Sequence, residues 1–532
     1  MALGTAIHGG GETQWPGSVE IALSGVGAWV AIALVLAAAA YVATIWPFAP
    51  VAMLAAVVVL IWCSQRPVRW VYVLTATIFL ESSDVSLYIG GARIRPAQIV
   101  LLPILATTAL FTIGGMVRLR RVPLLVPLVL YLACNFLSTL FSPVPEQSSK
   151  VFLLLASLVI LYIVTYLLVR DDPAAWPSVW RFFVWIGLLE IGVGLYQIVA
   201  GYANARLGLT LPIGALGMVH TEYIGTVFGR PYGTLPEPDT YGAMCAFYAV
   251  LLGLMWLTAS RQGRPWRLVA VTAAAATLGL VVGFVRASWF GFAIGVIWTF
   301  NQRLAGRLRG IRALRVAALG GLGVAVVVGA VVTSPGVRDL LARRFSFGSE
   351  SAETGLSTEN ARFRQMVMSY QLFRERPLLG NGTGSFAVLG AIGAHELYYI
   401  SQATDLSRIY DPSILTTVLN DTGVLGSAAF VMLGVAYFGH IRRRLRRMSP
   451  GVARNRALAA HCALLGLFAS FIFTHYFWLP FTWLFLAITV LSFDPEIAKN
   501  NAEKGPRGER CQRAIAPLAE RVHNAPISCV QA

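Results

Sequence analysis

Long apolar runs separated by short polar stretches recur from one end of the chain to the other. Runs of about 18 or more apolar residues read as membrane helices. Candidate spans cover 27–46, 48–63, 68–82, 96–114, 123–141, 149–169, 177–200, 238–258, 268–285, 286–301, 312–333, 413–439, 456–475 and 478–493. The two runs that meet at Arg286 also read as one broken helix. The pattern predicts an all-α, polytopic integral membrane protein with about 12–14 transmembrane helices. It divides the chain into a cytoplasmic segment (1–26), a helix bundle (27–333) with an extracytoplasmic loop at 201–237, a large extracytoplasmic loop (334–412), C-terminal spans (413–493) and a polar cytoplasmic tail (494–532), expected to be disordered.

The loops test this division. With the N-terminus inside, every second loop is basic: Arg66 and Arg69; Arg118, Arg120 and Arg121; Arg170 and Arg181; Arg261, Arg264 and Arg267; Arg303 to Arg315; Arg442 to Arg456. The short loops between them hold little positive charge beyond Arg93, Arg95 and Lys150. Such alternation is what the positive-inside rule demands. Long external loops escape that rule, so arginines in 201–237 and 334–412 need another reason. In the larger loop, Phe363, Val367, Tyr370 and Phe373 recur at helical spacing, flanked by Arg362, Arg364, Arg374 and Arg376. They predict an amphipathic helix on the outer membrane surface. It stops at Pro377, before a glycine-rich turn whose backbone is expected to approach a ligand closely.

Composition sharpens the class. The 532 residues are 57% hydrophobic and 13% charged, which excludes a soluble domain of this size. The net charge of +17 then follows from topology, and no nucleic-acid partner is expected. Nearly all the positive charge is arginine, the better fork for phosphate. The six cysteines have neither metal-site spacing nor a disulfide pattern. The first twenty residues lack Lys and Arg, so the first apolar run is expected to act as an uncleaved anchor.

Three stretches carry candidate chemistry. In Gly229-Arg230-Pro231-Tyr232-Gly233-Thr234-Leu235-Pro236-Glu237-Pro238-Asp239, one arginine and two carboxylates stand before a span. Asp239 reads either as a helix cap or as a site residue, and Glu237 as a candidate general base toward a sugar hydroxyl. Arg286 is a charge between apolar residues, either snorkelling to the interface or facing a cavity. Arg362 and Arg364 read either as solvated charges or as part of a converging group. Together the arginines suit a pyrophosphate and would stabilise it as a leaving group. No nucleotide fingerprint, Asp-x-Asp or metal-binding cluster accompanies them, so no cofactor and no metal is expected.

These stretches resemble the O-antigen ligase and O-antigen polymerase (Wzy-type) superfamily. The resemblance rests on Arg230, Gly233-Thr234 and Pro238-Asp239; on Val285-Arg286-Ala287-Ser288-Trp289; on Arg362 with Pro377-Leu378-Leu379-Gly380-Asn381-Gly382-Thr383-Gly384-Ser385-Phe386; and on Asp421-Thr422-Gly423-Val424-Leu425-Gly426. It covers roughly residues 210–430. It implies inverting glycosyl transfer from undecaprenyl-pyrophosphate-linked glycans at the outer face of a bacterial inner membrane. Arg230, Arg286 and Arg362 would bind the donor pyrophosphate. Where the family has His-Asn, this chain has Asp411-Pro412-Ser413, so Glu237 or Asp411 is the expected base, with His395 nearby in sequence. Loss of that His favours polymerisation of O-antigen or exopolysaccharide units over ligation to lipid A core. A glycan or lipid acceptor, membrane lipids and other polysaccharide assembly proteins are the expected partners. A small-anion transporter and a non-catalytic assembly scaffold are the readings from other classes.

Overall fold

The structure, a computed structural model, describes residues 49–79, 87–89, 92–94, 96–115, 117, 122–207, 223–224, 228–229, 231–235, 238–258, 265–283, 285–301, 358–393, 411, 413–474 and 476–497. The expected spans 27–46 and 312–333, the N-terminal segment and most of the tail lie outside these residues. Every other expected span is a helix: α1 (Ala49–Gln65), α2 (Arg69–Phe79), α3 (Pro96–Ile113), α4 (Leu125–Leu140), α5 (Pro145–Asp171), α6 (Trp176–Leu207), α7 (Pro238–Thr258), α8 (Pro265–Val282), α9 (Arg286–Asn301), α12 (Ile414–Arg447), α13 (Val452–Ser470) and α14 (Pro480–Ser492). The large loop contributes α10 (Thr358–Glu375), where the amphipathic pattern predicts a helix, and the short α11 (Phe386–Gly393). Two hairpins, Leu87–Ile89 with Ala92–Ile94 and Tyr223–Ile224 with Phe228–Gly229, are the strands among the described residues. The chain is an all-α polytopic membrane protein, and six helices among the described residues are long and apolar enough to cross a membrane.

The chain divides into two units at Arg66 and Pro67. Within the first, α1 is a 17-residue apolar helix that exposes Leu54, Val58 and Ile61. The second holds every other described helix. Several of these outrun their apolar stretch. α5 begins four residues before the expected span, with Glu146 and Lys150 paired at 2.7 Å, and α12 continues through Arg442–Arg447. Hydropathy marks the part of a helix that lies in hydrocarbon, whereas backbone hydrogen bonding continues into the polar flank.

The second unit is apolar outside as well as inside. Leu102, Leu110, Ile113, Val126 and Val435 are exposed, as lipid-facing side chains are, while Asn135, Glu190, Gln197, Asn420 and Asp421 are buried. At its centre stands α14, all thirteen residues of which are buried. A helix apolar all round must be surrounded. Its Phe485 stacks on Phe247 of α7 at 4.0 Å and meets Phe183 of α6 edge-on at 5.3 Å. Helices α6 and α7 dock through two tyrosines laid over glycines. Tyr241 covers Gly194 and its hydroxyl donates to the Ile191 carbonyl at 3.0 Å; Tyr248 covers Gly187 and donates to the Phe183 carbonyl at 2.8 Å.

Connected helices alternate in direction, so loops gather at two ends. At the Arg170 end, Arg170 faces Asp494 at 3.5 Å and Glu496 at 3.8 Å, Tyr166 donates to Asp494 at 2.8 Å, and Arg456 lies over the Trp180 ring. Order therefore extends past the expected limit at 493, and Ile497 is buried. The opposite end, called here the Pro238 end, collects the start of α7, the α8–α9 break, helices α10 and α11, the start of α12 and the turn that holds Phe473 and Phe477. That last turn ties the end together: Phe473 meets Phe290 of α9, and Phe477 meets Tyr131 of α4 and Phe430 of α12.

Removing the Phe485 ring empties the contact between α14, α6 and α7. Phe485→Ala is expected to lower stability by about 3–5 kcal/mol, read as thermal unfolding of the detergent-solubilised protein. Val129→Ala, at a half-exposed position facing outward, is expected to change it little.

Candidate functional site

Two junctions at the Pro238 end hold the stretches that the sequence singles out. The first lies where α7 and α9 begin. Gly242, in the first turns of α7, faces the α8–α9 break so closely that a methyl group on it would sit 2.7 Å from Val285 Cγ2. Arg286 opens α9 directly after this contact and is half-buried. The Trp289 indole reaches across the break and donates to the Leu280 carbonyl at 3.0 Å, while the Gly283 amide, on Gly279 at 3.0 Å, closes the last turn of α8. The two apolar runs at Arg286 are thus separate helices. Asp239 lies in the first turn of α7, where a carboxylate is favoured by the helix dipole. Two buried hydroxyls here, Thr240 Oγ1 and Ser288 Oγ, have no hydrogen-bond partner among the described residues.

The turn preceding α7 is held from α6. Glu190 accepts the Thr234 amide at 2.5 Å and the Thr234 hydroxyl at 2.6 Å. Gln197 accepts the amides of Tyr232 and Gly233 at 3.0 and 2.8 Å and donates to the Gly233 carbonyl at 2.7 Å. The Thr234 hydroxyl also contacts the Phe79 carbonyl at the end of α2. Neither Glu190 nor Gln197 stands out by motif. The available signal was a lone carboxylate inside the span 177–200, which is costly in hydrocarbon and so demands a partner. Glu190 and Asp421 are ionisable side chains buried inside the spans.

The second junction is a helix broken and mended. Gly423 has φ 62° and ψ −160°, which interrupts α12. In an unbroken helix the amides of Val424 and Leu425 would donate to the carbonyls of Asn420 and Asp421. Instead Val424 donates to Pro377 at 2.8 Å and Leu425 to Leu378 at 3.3 Å, while Asn381 and Gly382 donate to Asn420 and Asp421 at 2.7 and 3.1 Å. The glycine-rich turn is threaded between two rungs of the helix ladder. Side chains seal it: Asp421 Oδ2 accepts the Gly384 amide at 2.8 Å, Asn381 donates to Asn420 at 3.1 Å, and Thr383 donates to Asn135 of α4 at 3.1 Å. Ser142 donates to the Asn381 carbonyl at 2.7 Å, and Ser138 to that of Asp421. The close approach expected toward a ligand is therefore made to α12. A Cβ on Gly380 would lie 2.6 Å from the Asn420 and Asp421 carbonyl oxygens, and one on Gly423 would lie 2.4 Å from Leu378 O.

Asp411 belongs to the same junction and is 2% exposed. Its Oδ1 accepts the Ser413 amide at 3.1 Å and the Thr416 hydroxyl, a local turn that leads into α12, which Ser413 caps. The Ser369 hydroxyl of α10, beside the Asp411 carboxyl, donates to the Thr416 carbonyl at 3.3 Å. Burial pushes Asp411 up to about 6; the hydroxyls of Ser369 and Thr416 and the Ser413 amide pull the other way. Arg362 lies seven residues before Ser369 and shares its helix face, the one packed on α12; Arg364, five before, does not. The side chains at 362 and 364 are outside the described part. So are Arg230, Glu237 and His395 entirely. On the other face of α10, Phe363, Val367 and Tyr370 are exposed, as the amphipathic pattern requires.

The structure thus brings the first two motif stretches together at one junction and the last two at another. No protein-family model matches the chain, and no curated protein matches it.

Gly380→Ala is expected to destabilise the protein by about 2–5 kcal/mol, from the left-handed backbone and overpacking together. Gly434→Ala, on the same α12 with open space around it, should be neutral or gain up to about 1 kcal/mol; thermal unfolding compares the two. For Asp411, the folded carboxyl holds its proton between about pH 4 and 6, where the unfolded one has lost it. Stability therefore falls as pH rises through that window, by up to about 3 kcal/mol. Asp411→Asn removes the dependence, so its melting temperature is expected to exceed the wild-type value at pH 8 by more than at pH 4.5.

Proposed function

We propose that the protein is a membrane glycosyltransferase that polymerises undecaprenyl-pyrophosphate-linked glycan units during surface polysaccharide biosynthesis. The observation that carries this reading is the first junction. Two helix N-termini, those of α7 and α9, meet beside Arg286 with two buried hydroxyls that have no hydrogen-bond partner among the described residues. Helix N-termini and a guanidinium both favour an anion, and together they suit a pyrophosphate. Arg230, two residues from the anchored Tyr232, completes the donor site in this reading; Arg362 enters it from the motif alone, since α10 packs on α12 at the second junction.

The acceptor hydroxyl oxygen attacks the anomeric carbon of the donor glycan and loses its proton to a base. The bond to the pyrophosphate oxygen breaks with inversion, and undecaprenyl pyrophosphate leaves. Charge grows on the departing phosphate oxygens, where fixed N–H groups and arginine are worth most. Glu237 takes the base role rather than Asp411, because Asp411 is enclosed by α10 and α12. The arginine-rich Arg170 end supports a cytoplasmic placement of that end, and hence a reaction on the outer side of a bacterial inner membrane. The buried carboxylates Glu190 and Asp421 do not favour the transporter reading, since both are engaged by protein amides. Ligation to a lipid A core differs only in the acceptor.

Purified protein supplied with undecaprenyl-pyrophosphate oligosaccharide is expected to yield a ladder of longer lipid-linked glycans on a gel. Arg286→Ala is expected to reduce elongation about 10²–10³-fold, the size typical of losing a charge-stabilising donor, at unchanged protein level. Full elongation by that variant would remove the mechanism. Product only when a second, distinct acceptor is added would make the enzyme a ligase.

A further inference from the structure

We propose that Glu190 and Gln197 are positioning residues, a paired grip that fixes the Tyr232–Thr234 turn ahead of α7. The positioning role rests on the glycosyltransferase reading, but the grip itself does not. Residues 190 and 197 are seven apart on α6, so they share one helix face. Both are buried, at 1% and 0% exposure. Between them they engage three successive amides, of Tyr232, Gly233 and Thr234, along with the Gly233 carbonyl and the Thr234 hydroxyl. The Tyr232 carbonyl closes the turn by accepting the Leu235 amide at 3.2 Å.

A turn with its amides so committed cannot offer them to a substrate. What it can do is hold the residues at its two ends. The chemistry of the grip fits that task. A carboxylate meets both donors of Thr234 at once and sets the rotation of that residue as well as its depth. A side-chain amide can accept from two backbone N–H groups through its oxygen and donate to a carbonyl through its nitrogen at the same time. Gly233 is needed because a Cβ there would fall 1.8 Å from Glu190 Oε1, where any side chain would prise the carboxylate away. The Gly-Thr pair is thus the handle, and α6 is the hand. That gives a lone carboxylate inside a membrane span a reason to exist, since partners within reach lower its cost there.

Hydrogen exchange of the full-length protein in nanodiscs tests the grip without any substrate. Glu190→Ala and Gln197→Ala are expected to speed exchange in peptides covering 231–235 at least tenfold, while peptides from α14 stay protected. Unchanged exchange at 231–235 would overturn the grip. The positioning role is read from elongation kinetics. Thr234→Val should lower kcat at least tenfold, with Thr234→Ser restoring most of it. The double variant Glu190→Gln/Thr234→Val should be no slower than the slower single variant, because both break one contact. Faster exchange with kcat intact, or losses that multiply in the double variant, would overturn positioning and leave a purely structural contact. If wild-type protein elongates nothing, the glycosyltransferase reading and the positioning role fail together, and exchange still decides the grip.

Discussion

A helix interrupted inside hydrocarbon leaves backbone groups that lipid cannot satisfy. The Pro238 end depends on how this chain meets that constraint. At Gly423 two rungs of the α12 ladder are open, and the turn from Pro377 to Gly382 supplies two acceptors and two donors in their place. At the α8–α9 break, the Trp289 indole reaches back to Leu280. Before α7, two polar side chains of α6 take up the amides of a tight turn. The interruption at Gly423 and the turn before α7 are each closed from a distant part of the sequence, so neither can form alone. Among the described residues, the end of the bundle that holds Arg286 is thus tied by long-range hydrogen bonds.

Aromatic packing gives that end something rigid to be linked to. Phe485, on a helix with no exposed residue, holds α6 and α7 through Phe183, Phe247 and Tyr248. The tyrosine-over-glycine contacts then set how far α7 slides along α6. That sliding position decides whether Glu190 and Gln197 stand opposite the turn before α7. Packing in the middle of the membrane therefore governs polar geometry near its surface.

Much of the architecture was legible because hydrocarbon imposes a length and a composition on whatever crosses it. Even the short α14 announced itself as an unbroken apolar run. The ends were less legible, since Glu146, Lys150 and the arginines after His440 extend helices that hydropathy alone would stop. The glycines of 380–384 were recognised as a close-approach motif, but sequence does not say what is approached; here it is the carbonyls of Asn420 and Asp421. Glu190 and Gln197 were missed because motif reading favours loops, and their meaning lies in a turn some forty residues away. Asp411 shows the reverse error of scale. A carboxylate in a loop looked available as a base, whereas its neighbours Ser413 and Thr416 fold it into the start of α12.

The threaded turn has a further consequence for how such a chain can diverge. Residues 377–384 and 420–425 are pinned to each other by backbone and side-chain hydrogen bonds. Closing a loop costs only about 0.6 kcal/mol more for each doubling of its length. The number of residues between the two pinned stretches is therefore cheap to change in descendants of this sequence. The glycines at 380 and 423, each wedged against the other stretch's backbone, are not.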